Sequence, residues 1–475
     1  MRGEAASERV WPGRVWLGGL GAIQLAGLLL AFLVAPALVN GDGLGYLKAS
    51  VEPGPIMGPY PGHLGYLPLL RAVARLFGSG EFPADRLGVA RGISLVGGVL
   101  TSTVLGLWAR RAYGARAGWL SAAGIWASAG ALAAFADVET YGIALGAVTL
   151  ALSCAESPRW RGSLVAAVAA AAAVLLHIEN VLLFIPLWLR LPARRRLPVI
   201  GLSGILVAAA YGSVVWEHGF GWLVGAGHGY VQTQRWLIPV KAVYGAGKAL
   251  VYAPYLYESG WPTVASSSAL GILALGILVF CWQRPWPKLA TAGWLVPYVL
   301  VGAAFFGSDA ERWLFLLPLL WLGVAAGSRR RLAAIMVLLL VAADLALVWP
   351  VARDHRALDR AVAAAALVED GDLILSPGHG WDEYLGFVAR RHTHALPLVY
   401  HAALKGRARL ASTVAAEVAA TRAAHHRVLF VRMTGDGDPR GWKELAPLGI
   451  DRTNIDTFLP SGTRVRLGPD VEELR

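Results

Sequence analysis

Charge is what this chain has least of. Only 16% of its 475 residues are Asp, Glu, Lys or Arg, while 56% are hydrophobic and the mean hydropathy is +0.53. Soluble globular domains carry about a quarter charged residues, so that class is excluded and a polytopic membrane protein is expected. Cysteine is nearly absent as well. Cys154 and Cys281 each lie near the end of an apolar run that leads into Arg residues. Both are therefore expected on a reducing cytoplasmic side, and no disulfide framework is implied. There is no internal repeat, no low-complexity linker beyond Ala-rich helices and no dense D-x-D pattern; "DVE" at 137–139 is the nearest approach. Tryptophan, by contrast, is plentiful at 19 residues, as suits interfacial belts.

What is present is a series of apolar runs, near 15–38, 89–109, 117–135, 138–154, 163–176, 178–189, 197–215, 265–282, 289–306, 311–326 and 331–349. Read against the roughly 20 residues that cross a bilayer, fewer in shielded helices, they predict about 11 transmembrane helices. The fifth and sixth runs are the ambiguous pair, because "LLHIENVLLF" could lie inside one long helix. Charge decides between the two. With eleven spans, one side receives 17 cations against three acids, while the loops of the other side hold 9 cations against 11 acids. Merging the pair would move "RLPARRR" across the membrane and destroy that bias. The positive-inside rule thus places the N-terminus in, the C-terminus out and a chain break at His177 to Asn180. The formal charge of +12 follows from this topology and gives no argument for nucleic acid. The first run resembles a secretory signal in its "APA" at 35–37, but its apolar core is longer than the usual ~7–15 residues, so an uncleaved helix is expected.

Two domains follow: a transmembrane domain at 1–352, with outer loops 40–88 and 216–264, and a small C-terminal extracytoplasmic α/β domain at 353–475. In the first loop, "HLGYLPLLRAVARLFG" has apolar residues at helical spacing with Arg71 and Arg75 opposite, the pattern of a helix lying in the interface plane. The second loop is studded with aromatics. In the tail, helix patterns alternate with strand patterns at "LILSPG", "HALPLVY" and "RVLFVRM", which predicts a mainly parallel sheet.

Ionisable residues gather where apolar runs emerge on the outer side: Asp42 and Glu52, Asp137 and Glu139, His177 and Glu179, Glu217 and His218, and Asp309, Glu311 and Arg312. Charges at membrane depth usually face a protein interior or a watery cavity, so five clusters at one level predict a shared chamber under the outer surface. Each has a bland alternative. Asp42 suits a Gly-rich turn, Asp137 a helix cap, and His177 a satisfied core position. Arg312 is different, because the start of a helix repels a cation and calls for a carboxylate or an anionic ligand beside it.

The order of these signals resembles the integral-membrane GT-C glycosyltransferases, which take sugars from polyprenyl-phosphate carriers. "GDGLGYLKAS" resembles the first-loop Asp motif, and "GPYPGHLGYLPLLRAVARLFG" the segment leading into an interface helix. "ARGISLVGGVLTSTVLGLWARR", "FADVETYGIALGAVTLALS" and "LLHIENVLLFIPLWL" resemble the following helices, and "DAERWLFLLPLLW" a late one. The features sit closest to the branch that includes protein O-mannosyltransferases. The resemblance implies transfer of mannose or a similar hexose to a protein, glycan or lipid acceptor, with Asp42 as general base. Asp42 is followed by Gly43, where relatives often have a second acid, and a single carboxylate fits inversion better than retention. Glu139 would orient the acceptor or support Asp42, with Tyr141 beside it. His177, Arg312, and Arg235 or Lys241 would face the leaving phosphate, and His63 either side. Tyr46, Glu179 and Glu311 complete the expected binding set. Asp42, Asp137, Glu139 and Glu311 could supply oxygens to Mg²⁺ or Mn²⁺, but no metal is expected, since a monophosphate carries less charge than a diphosphate. The competing reading is a lipid or solute transporter or flippase, which would place such groups near the midplane in repeated halves. Richness in Ala, Gly and Arg points to a GC-rich genome and a bacterial inner membrane.

Overall fold

A computed structural model describes residues 13–36, 41–51, 61–219, 239–251, 261–304, 310–377, 381–398, 407–431, 449–451, 453–459 and 462–475. Each of the eleven apolar runs is helical within them. They begin with α1 (Gly13–Val34), α4 (Leu87–Tyr113), the pair α5 (Ala115–Trp126) and α6 (Ala129–Ala136), α7 (Thr140–Ala155) and α8 (Trp160–Leu176). Between α1 and α4 lie α2 (Gly41–Val51) and α3 (Tyr66–Leu76), and after α8 come α9 (Phe184–Arg190) and α10 (Ala193–His218). Helices at Trp261–Cys281, Lys288–Ala304, Leu317–Ala326 and Arg330–Ala343 account for the late runs. Among the described residues four helices are long and apolar enough to cross a membrane alone, and α5 with α6 passes as a fifth span bent by 66°. The bend falls at Ala127 and Ser128, where the Ser128 hydroxyl donates back to the Gly124 carbonyl at 2.8 Å, a common cause of helix kinks. Thr140–Ala155 and Trp160–Leu176 are shorter apolar helices.

The chain breaks where charge placed the break. α8 ends at Leu176, His177 is extended (φ −156°, ψ 114°), and a 3-10 turn at Ile178–Leu183 leads into α9. The return path brings the Arg cluster back to the start of α8. Arg190 pairs with Glu156, and Arg195 donates to the carbonyls of Ser157 (2.8 Å), Pro158 and Arg159. Runs five and six are therefore two segments, as the cation count required.

Close helix packing depends on small residues. A Cβ on Gly97 of α4 would lie 2.4 Å from the Gly142 backbone of α7, and one on Gly142 would lie 2.7 Å from the Ala134 oxygen, so both positions must stay without a side chain. One stretch of the second loop is helical. Pro239–Val251 is a helix whose Lys248, Ala249, Leu250 and Val251 are buried. It meets the Trp261–Cys281 helix where a Cβ on Gly271 would be 2.3 Å from the Gly247 oxygen.

The chain divides into two compact units, the second holding residues 37–52, 78–87 and 354–475. Its sheet has five strands in the order β2-β1-β3-β5-β4: β1 (Leu373–Ser376), β2 (His394–Pro397), β3 (Val428–Val431), β4 (Arg464–Arg466) and β5 (Val471–Leu474). The three strands read from sequence pair in parallel, with Leu373 opposite both His394 and Val428. The antiparallel pair β4 and β5 was not read from sequence, because Arg464, Arg466, Glu472 and Glu473 break its apolar pattern. The core beneath the sheet comprises Leu373, Leu375, Val428 and Phe430 with Leu410, Val414 and Val418 of the Arg407–Ala423 helix. Within the same unit Arg86 donates to the Ser50 carbonyl of α2 at 2.6 Å and Arg390 pairs with Asp85.

Candidate functional site

The site is built at the end of α8. Gly65, just before α3, donates its N–H to the Leu175 carbonyl at 2.8 Å, and a Cβ there would already touch Leu175 at 3.1 Å. This close approach sets His63 beside His177, ring centroids 4.7 Å apart. His63 Nδ1 lies 3.1 Å from the Leu176 carbonyl and 3.3 Å from the Thr140 hydroxyl. A carbonyl only accepts, so the proton is assigned to Nδ1, which leaves Nε2 as the basic nitrogen. The packed surroundings desolvate the His63 imidazole and hold it down to about 4, despite the opposing pull of the Leu176 carbonyl; Arg312 lowers it further. His177, 2% exposed, is likewise held well below its ordinary value by burial, then by His63 and Arg312. Both are therefore neutral at pH 7.

Aromatic rings complete the wall. Tyr141 and Phe315 lie 4.4 Å and 5.2 Å from the His177 ring, and Phe315 reaches Tyr298 at 6.1 Å. The Tyr298 hydroxyl donates to Asn180 Oδ1 at 3.0 Å, while Asn180 Nδ2 donates to the Ala173 carbonyl at 3.1 Å. The Asn180 amide thus bridges the break in the chain to the neighbouring helix.

Charge enters through Glu179 and Arg312. Arg312 opens the segment Glu311–Leu316, and its guanidinium donates to Glu179 Oε1. The other carboxylate oxygen, Oε2, lies 4.0 Å from His177 Nδ1. The carboxylate partner that the helix-start position of Arg312 called for is present.

A second polar group surrounds the turn between α6 and α7. Asp137 accepts from the Val138 N–H at 2.8 Å and lies 3.7 Å from Arg91, which donates to the Pro36 carbonyl at 2.7 Å. Glu139 occupies the N-cap position of α7 without a side-chain cap. Its carbonyl accepts from the Ser94 hydroxyl at 3.1 Å. Tyr66 lies close enough to Glu139 for that carboxylate to raise its hydroxyl pKa, an effect second to burial.

The structure thus gathers His63, Tyr141, His177, Glu179 and Arg312 of the expected residues, with Glu139 in the turn before Tyr141 and Glu311 half-buried beside Arg312. Tyr46 is buried in α2. Asp42 lies in the first turn of α2, but its side chain falls outside the described residues, as does that of Lys241 in Pro239–Val251. Arg235, Glu52 and Asp309 also lie outside them. Among the described residues no group of three or more His, Cys, Asp or Glu is arranged to hold a metal ion. Asn180, Tyr298 and Phe315 were missed as site residues. Only Asn180 carried a signal, as the sole amide in "HIEN". Lys248, 1% exposed, is a buried cation that the loop reading passed over in favour of Lys241.

No protein-family model matches the sequence, and no curated protein matches it closely enough to be a relative. Solved structures do match. ArnT from Cupriavidus metallidurans bound to undecaprenyl phosphate superposes with a TM-score of 0.59 at 14% identity, over 98% of each chain. The arabinofuranosyltransferase AftD from Mycobacteria superposes with a TM-score of 0.51 at 15% identity, over 97% of this chain and 40% of that one. At such identities the likeness concerns the fold. This chain shares its fold with ArnT over almost the whole length of both, and with part of AftD.

Proposed function

We propose that this protein transfers a sugar, mannose or a similar hexose, from a polyprenyl-phosphate carrier to an acceptor on the extracytoplasmic side of a bacterial inner membrane. The observation that carries this reading is the correspondence of fold over 98% of both chains with ArnT, whose structure holds undecaprenyl phosphate. The cluster at the end of α8 supports it chemically. Glycosyl transfer from a lipid phosphate generates a phosphate leaving group, and a cation beside it stabilises the developing charge. Arg312 supplies that cation, and Glu179 holds it in place until phosphate arrives. Neutral His63 and His177 with Tyr141 and Phe315 form a wall with little charge of its own, so an incoming anion competes with Glu179 for the guanidinium. Arg235, Lys241 and the buried Lys248 are further cations for the same task.

On the acceptor side, Asp42 takes the proton of the attacking hydroxyl as general base, the role the sequence resemblance gives it. Glu139 orients the acceptor. One carboxylate suffices for inversion at the anomeric carbon, since no covalent sugar–enzyme intermediate is formed.

The test is sugar transfer by purified protein with Asp42→Asn alongside. Loss of a general base lowers the rate by about 10²-fold or more, so the folded variant is expected to fall at least that far with little change in KM. A folded variant matching the parent removes Asp42 from the role. An inverted anomeric product is expected by NMR, and a retained one contradicts the single-carboxylate mechanism.

A further inference from the structure

Five arginines meet on the side that the cation count assigns to the cytoplasm. Arg159 and Arg161 stand at the start of α8, and Arg194, Arg195 and Arg196 in the first turn of α10. Arg195 joins the two starts. It is 2% exposed and donates to the carbonyls of Ser157, Pro158 and Arg159 and, at 3.1 Å, to the Ser163 hydroxyl. Its guanidinium also lies 5.3 Å from the Trp160 ring. Further along both helices the Ser203 hydroxyl donates to the Ala167 carbonyl at 2.9 Å. α8 and α10 therefore run side by side in the same direction, with their N-termini at one level.

By itself this arrangement is electrostatically unfavourable. A helix start carries partial positive charge and repels cations, and neither helix has an acid in its first turn. Among the described residues no carboxylate pairs with any of the five. Glu156, just before Arg159, is taken: one oxygen pairs with Arg190, and the other accepts from Trp108 Nε1 at 2.9 Å. Arg195 is offset by neutral partners alone, and its buried Nε makes no hydrogen bond among the described residues. What the cluster lacks is an anion, and the exposed side chains of Arg159, Arg161 and Arg194 are open to one.

The surroundings choose the anion. Trp160 and Trp188 are exposed, and Arg196 lies 5.7 Å from the Trp188 ring, as in the aromatic belt of a membrane interface. Beyond the cations, Leu164 and Val168 of α8 and Leu197 and Ile205 of α10 are exposed, and α10 is long and apolar enough to cross a membrane. Cations at headgroup depth, followed by bare hydrocarbon on the same helices, fit a lipid better than a soluble phosphate. We propose that the paired starts of α8 and α10 bind the headgroup of an anionic phospholipid, whose chains lie along the exposed apolar side chains of the two helices. Arg159, Arg161, Arg194 and Arg196 engage the phosphate, and Arg195 positions them. The site is at the opposite end of α8 from His177 and does not depend on the sugar-transfer reading.

The test counts lipid on the full-length detergent-solubilised protein by native mass spectrometry, with phosphatidylglycerol and phosphatidylcholine titrated in turn. A cation near the headgroups contributes about 5-fold in affinity, so the parent is expected to prefer phosphatidylglycerol by at least that factor. Arg159→Gln with Arg161→Gln, and separately Arg194→Gln with Arg196→Gln, are each expected to weaken its binding about 20-fold. The single Arg194→Gln, at an exposed position that folding does not need, is expected to lose about 5-fold. Arg195 stays intact so that the helix pairing survives. Arg284→Gln removes an exposed cation outside the cluster and is expected to change little. Parent-like binding by Arg194→Gln or by either folded pair variant overturns the proposal. So does a loss in Arg284→Gln as large as in Arg194→Gln, which would reduce the effect to net charge. A parent without preference between the two lipids, or one that binds free glycerol phosphate as tightly as the lipid, overturns it as well.

Discussion

His63 and His177 are held neutral by burial at a site that solvent protons would otherwise charge. The unfolded chain binds a proton at each near pH 6.5, whereas folded His63 does so only near 4. Between those values the unfolded state binds more protons, so stability falls as pH drops from 6.5 towards 4 and is insensitive to these groups above 6.5. Thermal unfolding in detergent is expected to show this loss, and His63→Gln to flatten part of it. An identical pH profile in the variant contradicts the assignment. Asp344 poses the opposite problem. Its carboxylate is fully buried and neither oxygen makes a hydrogen bond among the described residues. It stands at the start of a π-helical turn, Asp344–Val348. Removing an unsatisfied buried polar group recovers about 1–3 kcal/mol, so Asp344→Leu is expected to raise the melting temperature. A fall would show that the carboxylate has a partner in the membrane.

At the level of elements, the site exists because three breaks coincide. α8 stops at His177, α6 turns into α7 through Asp137 and Glu139, and a 3-10 turn at Glu311–Leu316 precedes the Leu317–Ala326 helix. Each break frees side chains that a continuous helix would point at lipid or neighbours. Their alignment relies on close helix contact, so Gly97→Ala is expected to cost about 1–3 kcal/mol by forcing α4 from α7. The same substitution at Gly92, where nothing lies within 4 Å, serves as the control. Comparable melting temperatures for the two variants would show that the α4–α7 contact yields without strain. These breaks were legible in sequence because ionisable residues interrupt apolar runs there. The ring wall was not legible. Phe315 and Tyr298 look like any aromatic in an apolar helix, since periodicity does not distinguish a residue facing a site from one facing a core. Lys248 was missed for a related reason: Gly and aromatic residues made 239–251 read as loop, although its neighbours bury it in a helix.

For the whole molecule, the fold was readable from two quantities that survive when detailed similarity is gone. Hydropathy located the eleven runs, and the Arg cluster at 194–196 separated the fifth from the sixth. Identities of 14% and 15% with the matching structures show how little sequence this architecture needs. The antiparallel pair β4 and β5 escaped because charged residues interrupt its short strands, and a short edge hairpin tolerates them. The central claim is that the molecule moves sugar between molecules and does not carry it across the membrane. The most direct measurement uses purified protein in proteoliposomes loaded with polyprenyl-phosphate-linked labelled mannose and offered peptide, glycan and lipid acceptors. Transfer is predicted to give a labelled acceptor and one released polyprenyl phosphate per sugar. Labelled lipid appearing in the opposite leaflet, with no acceptor labelled, would contradict the account and establish a transporter instead.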